Sequence, residues 1–151
     1  VSEKILVETD FLFALRPSDP IHEAVLTLLE DSAKGVIRLH ISPVSPVEAS
    51  LIMKGAGLDD RDISIALKAM ETSVRKYSNP SYPELSLSDV ALASELRQKH
   101  GLTFFDSVHA SVSLSKNLTY VSNDATAREA VLSEGGRAKS LAIPRRSREE
   151  P

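Results

Sequence analysis

Short apolar runs alternate along the chain with longer stretches of helical spacing. Ile5-Leu6-Val7 reads as a buried strand that breaks at Glu8-Thr9-Asp10, after which apolar residues resume. The stretch 16–20, Arg-Pro-Ser-Asp-Pro, supplies a turn, and Asp19 followed by Pro20 suits the N-cap and first turn of a helix from about Ile21. Ala24, Val25, Leu28 and Leu29 share one face of that helix, and Gly35 is its expected stop. Residues 36–42 alternate like a strand. Residues 43–57 predict a short helix entered through Pro46 and ended by Gly55 and Gly57. Residues 60–77 place Ile63, Ala66, Leu67, Met70 and Val74 on one helical face. A loop carrying at most a very short strand follows. The next helix is expected to be capped by Ser88 or Asp89, with Lys99 and His100 at its negative end and Gly101 as terminator. The remaining pattern predicts a helix from Asp106, a strand over 118–124, a helix near Thr126 with capping-box spacing to Glu129, and a last strand over 138–143. Strands alternating with helices imply an α/β fold whose mainly parallel sheet is covered on both faces, an α/β/α sandwich. Its ligand sites belong beyond the carboxyl ends of the strands.

Composition narrows the function classes. A chain of 151 residues fits one domain, expected over residues 1–143, with an Arg-rich tail over 144–151 that holds Arg145, Arg146 and Arg148. There is no cysteine, which excludes disulfides, thiolate metal sites and cysteine nucleophiles. No apolar run reaches the ~18 residues of a membrane span, and the first residues lack a basic-then-apolar signal pattern, so a cytoplasmic protein is expected. The net charge of −3 argues against binding nucleic acid through an overall basic field.

The acidic residues carry the chemistry. No Lys or Arg lies between Glu8 and Leu15 to neutralise Glu8 and Asp10, which would share a side if the strand continued. Glu48 falls in the helix after the second strand, Asp106 follows Phe104-Phe105, and Asp124 ends a late strand. Singly, each has a local explanation: Asp106 and Asp124 as N-caps worth about 0.5–2 kcal/mol, Glu48 as a solvent-facing helix residue, Glu8 as a strand terminus. If the sheet is parallel, Glu8 and Asp124 lie at its carboxyl edge and Glu48 and Asp106 can reach it from helices; converging there, each close pair would repel by ~4 kcal/mol at a moderate effective dielectric. A bound cation would remove that repulsion. With only oxygen ligands, it would be a hard one, Mg²⁺ or Mn²⁺.

In "VETDFLFAL", "SPVEASL", "LTFFDSVHAS" and "YVSNDATAREAV" the chain resembles, in order, the four acidic motifs of PIN-domain nucleases. That family includes the toxin ribonucleases of toxin–antitoxin pairs. The resemblance spans residues 4 to about 143 and is most specific over "ELRQKHGLTFFDSVHAS". It implies a PIN-like fold and metal-dependent hydrolysis of phosphodiesters in RNA. Glu8, Asp10, Asp106 and Asp124 would hold metal, while Glu48 would bind metal or act as a base. Ser122 matches the small hydroxyl residue before the last Asp. The first motif departs from the family: Glu8 stands where Asp is usual. A small antitoxin and a second copy of the chain are the implied partners. A PIN fold that no longer cleaves, serving as an RNA- or protein-binding module, is the alternative that Glu8 supports. Other candidates for substrate contact are Lys54, Arg61, Lys68, Arg75 and Lys76, His109 on the face of Asp106, and Tyr77, Tyr82 and Tyr120.

Overall fold

The computed structural model describes residues 2–141. The elements are β1 (Glu3–Val7), α1 (Thr9–Phe13), α2 (His22–Ala33), β2 (Ile37–Ile41), α3 (Ser45–Gly55), α4 (Asp60–Arg75), α5 (Leu87–His100), α6 (Phe104–Lys116), β3 (Thr119–Val121), α7 (Ala125–Ser133) and β4 (Ala138–Lys139). The four strands form one parallel sheet in the order β2-β1-β3-β4. Helices cover both faces, which gives the expected three-layer α/β/α sandwich. Ile5, Val7, Leu39 and Ile41 pack against α1 to α4, while Leu6 and Tyr120 pack against α5, α6 and α7. β1 is sandwiched between neighbours and apolar on both faces, which is why its sequence runs rather than alternates. Among the described residues no helix is long and apolar enough to cross a membrane.

Register sets up the site. Val7 pairs with Ile41 on one side and with Val121 on the other, so β1, β2 and β3 end level. The residues that follow, Glu8, Ser42 and Ser122, therefore form one polar row at the carboxyl edge. Ser42 N–H donates to the Val7 carbonyl at 2.9 Å, extending the β2 pairing to that row.

Several local expectations need correction. The chain does not continue as a strand past Glu8. It turns into α1, with Glu8 as N-cap and its side chain accepting the Asp10 N–H. Glu8 and Asp10 are thus related by cap geometry and not by strand alternation. Asp19 does not cap α2; its Oδ1 accepts the Ile21 N–H at 3.0 Å, and α2 starts one residue later at His22. Ser86 caps α5 in a reciprocal capping box with Asp89, because Ser86 lies three residues before an acid that reaches back to its N–H. Gly101 ends that helix at φ +68°, a left-handed conformation that favours glycine. α6 begins at Phe104, so Asp106 sits inside its first turn rather than at its cap. Asp124 caps α7 through Ala127 N–H at 3.0 Å, displacing the expected Thr126–Glu129 box. β4 is confined to Ala138–Lys139. The Arg-rich segment 144–151 and residues 142–143 lie outside the described residues.

Candidate active site

Five carboxylates gather at the carboxyl edge. Glu8 is 5 % exposed; its Oε1 accepts the Asp10 N–H at 2.9 Å and its Oε2 accepts the Ser122 hydroxyl at 2.8 Å. Burial, then the charge of Asp10, pushes Glu8 up to about 7 against the pull of His109 and these hydrogen bonds. Asp10, on the first turn of α1, is raised by burial and by the charges of Glu48, Asp124 and Asp19. Asp106 is pushed up to about 6, first by burial and then, against a hydrogen bond from Thr103, by the neighbouring Asp124. Asp124 keeps Oδ1 on the α7 cap. Among the described residues no Lys or Arg forms an ion pair with Glu8, Asp10, Asp106 or Asp124.

Glu48 behaves differently. Burial raises it, but hydrogen bonds from His109 and Thr9 prevail and hold it below its ordinary value. Thr9 Oγ1 donates to Glu48 Oε1 at 2.5 Å, and His109 Nε2 lies 2.8 Å from the same oxygen. His109 Nδ1 is 2.6 Å from Ser42 Oγ, and His109 is wholly buried. The ring is thus held at both nitrogens, by the Ser42 hydroxyl at Nδ1 and by the Glu48 carboxylate at Nε2. The chain Ser42–His109–Glu48, with the Thr9 hydroxyl, favours the ionised carboxylate of Glu48. His109 therefore neither meets a phosphate nor sits merely as core; it braces Glu48. Sequence spacing alone could not pair them, since the partners are 61 and 67 residues apart.

Other candidates lie elsewhere. Tyr120 is fully buried, so it offers no stacking face for a base. Its pKa is raised by burial and then by the charge of Glu8, against a hydrogen bond with Ser122. Lys54 is tied to Asp60 and Arg75 to Glu71 in exposed ion pairs. Arg61, Lys68 and Lys76 are exposed on or just after α4, as are Tyr77 and Tyr82 beyond it.

Charge and donor type fit a hard divalent cation: the carboxylates repel one another, and two are held above the usual carboxylate range by burial and then by a neighbouring carboxylate. Among the described residues no three acidic or histidine side chains already converge as a ligand set.

The fold and this acidic edge define a class. The PIN domain family model matches residues 5–131, and the chain belongs to that family. It is similar in structure to VapBC2 from Rickettsia felis bound to a DNA fragment from their promoter, at 15% identity over 91% of this chain and 98% of that one, with a TM-score of 0.65. FitAcB from Neisseria gonorrhoeae matches at 18% identity over 91% and 97% of the two chains, with a TM-score of 0.59. PAE2754 from Pyrobaculum aerophilum matches at 22% identity over 93% and 90%, with a TM-score of 0.58. At such identities the likeness shows the fold. A comparison with curated proteins gives no match.

Proposed function

We propose that this chain is a divalent-metal-dependent ribonuclease that hydrolyses phosphodiester bonds in RNA. The observation that carries the reading is the gathering of Glu8, Asp10, Glu48, Asp106 and Asp124 at one sheet edge, mutually repelling and without a Lys or Arg partner among the described residues for the four outside the His109 brace. Glu8, Asp10, Asp106 and Asp124 would hold Mg²⁺ or Mn²⁺. When bound, such an ion supplies Lewis-acid activation of water and neutralises charge at the phosphate. Glu48 serves as the base that takes the proton of the attacking water, its Oε1 anchored by His109 and Thr9. The Ser122 hydroxyl orients Glu8.

One observation favours the alternative of a binding module that no longer cleaves: Glu8 spends both oxygens on Asp10 and Ser122. Thermal unfolding separates the two. A working site gains stability with Mn²⁺ or Mg²⁺ by mass action and loses that gain on Asp106→Asn; an inert module shows neither. Release of short fragments from RNA with Mn²⁺ and not with EDTA tests the activity itself.

The toxin role and its partners extend this reading through the likeness to VapBC2 and FitAcB. A groove of about 530 Å³ between α1, α3 and α4, lined by Phe13, Leu15, Ile52, Met53, Leu58 and Met70 among others, suits an apolar segment of a small antitoxin. Leu85, Leu87 and Val90, exposed at the start of α5, suit self-association into a homodimer. A cytoplasmic setting goes with this role.

A further inference from the structure

We propose that Arg128 is a positioning residue for the metal site: its guanidinium pins the Ser122 carbonyl and, through Ser122, sets Glu8 and Asp124 for a divalent cation. The inference deepens the metal-dependent reading above and rests on it. Contacts to Arg128, Glu8 and Asp124 meet at Ser122, which is fully buried just past the end of β3. Arg128 Nη1 donates to the Ser122 carbonyl at 2.7 Å. The Ser122 hydroxyl donates to Glu8 Oε2 at 2.8 Å and accepts the Asp124 N–H at 3.1 Å. One residue thus touches both acids, and Arg128 holds that residue.

Arg128 is the fourth residue of α7, near the positive N-terminal end of the helix, where a cation is disfavoured. The bond to Ser122 offsets that cost, because a charged donor on a buried carbonyl is stronger than a neutral one. The backbone N–H of Arg128 donates to the Asp124 carbonyl at 3.0 Å while its side chain reaches back to Ser122. The turn over residues 122–124 is therefore held at both ends by a single residue of α7. Asp124 Oδ1 is fixed in the same helical turn by the Ala127 N–H at 3.0 Å.

Donation to a carbonyl differs from a salt bridge in what it leaves free. Among the described residues no carboxylate forms an ion pair with Arg128. A guanidinium paired directly with Glu8 or Asp124 would occupy oxygens that a metal needs. Bound to the Ser122 carbonyl, it leaves both acids their oxygens, and the Glu8 oxygen that Ser122 touches keeps a second acceptor site. Outer partners of this kind orient ligating carboxylates, and their loss weakens metal binding about 10- to 100-fold.

The test is calorimetric titration of Mn²⁺ into the metal-free full chain. Arg128→Met, of similar length but without a donor, should weaken binding about 10- to 100-fold. Arg128→Lys, which keeps a charged donor, should recover most of the affinity. Ser122→Ala should weaken binding as well, and adding Arg128→Met to it should cost little more, since both act along one path. In EDTA the Asp124 amide should exchange its proton faster in Arg128→Met than in wild type, with the amides of α4 unchanged. If Arg128→Met does not fold, Arg128→Gln is read in its place by the same criteria. Wild-type Mn²⁺ affinity in the folded variant overturns the inference and leaves the metal site standing. Losses that simply add in the double variant place the effect of Arg128 outside Ser122 and overturn it too. A wild type that binds no Mn²⁺ removes the metal reading, and the positioning role falls with it.

Discussion

At the scale of the residue, the site depends on how two glutamates are treated. Glu8 is buried and short of positive charge; Glu48 is half-buried and braced. Glu8→Gln keeps the length and both hydrogen-bonding positions while removing a desolvated charge. It should unfold at a higher temperature than wild type in EDTA at pH 8, by a few degrees, since about 1 kcal/mol moves a midpoint by roughly 2–4 °C in a chain of this size. It should also lose any stabilisation by Mn²⁺. His109→Leu removes the brace and leaves the buried Ser42 hydroxyl unpaired, a cost of about 1–3 kcal/mol. Its kcat should fall at least tenfold with KM little changed, because in the proposed mechanism Glu48 acts on the attacking water and not on the strand's binding contacts. Equal loss in kcat and KM would count against the brace. The acidic positions were legible in the sequence because each falls at a strand end or helix start. The brace was not, because Ser42, Glu48 and His109 meet only through the register of β1 and β2 and the docking of α6.

At the scale of the element, helix termini do double duty. Glu8 and Asp124 are N-caps and also the acids proposed to hold metal, so structural and chemical roles must be separated by variant. Asp124→Asn keeps an accepting side-chain oxygen for Ala127 N–H and relieves repulsion with Asp106. It should be at least as stable as wild type in EDTA yet fail to cleave RNA. Asp124→Ala should be less stable than Asp124→Asn by about 1 kcal/mol, the worth of a cap. Identical stability of the two variants would show that the cap contributes nothing. The longer helices were readable because apolar spacing persists over several turns, as with Ile63, Ala66, Leu67, Met70 and Val74 of α4. α1 was not, since its five residues, Thr9–Phe13, are too few to separate helical from continuous apolar spacing. The expected cap of α5, Ser88 or Asp89, falls two or three positions past Ser86, and for α7 both Asp124 and Thr126 carry capping oxygens, of which the structure uses Asp124. Only the geometry chooses among them.

At the scale of the whole molecule, the gathered acids make stability depend on pH in a definite direction. Glu8 and Asp106 are held at about 7 and about 6, above the ordinary carboxylate range, so the folded chain keeps protons that the unfolded chain has released. Their contribution is full below about pH 4.5 and is lost as pH rises through 6 and 7, with Glu8 worth on the order of 3 kcal/mol. Without metal, the unfolding midpoint should fall by several degrees between pH 5 and pH 8, and Mn²⁺ should cancel the fall at the upper end. A midpoint that rises with pH in EDTA would contradict the burial of these charges. The most direct measurement is cleavage of a mixed single-stranded RNA pool by wild type and by Asp106→Asn, each with Mn²⁺, with Mg²⁺ and with EDTA. Metal-dependent cleavage by wild type alone, giving ends without a cyclic phosphate because water is the nucleophile, is the predicted result. No cleavage by folded wild type in any condition, or equal cleavage by Asp106→Asn, would contradict the account.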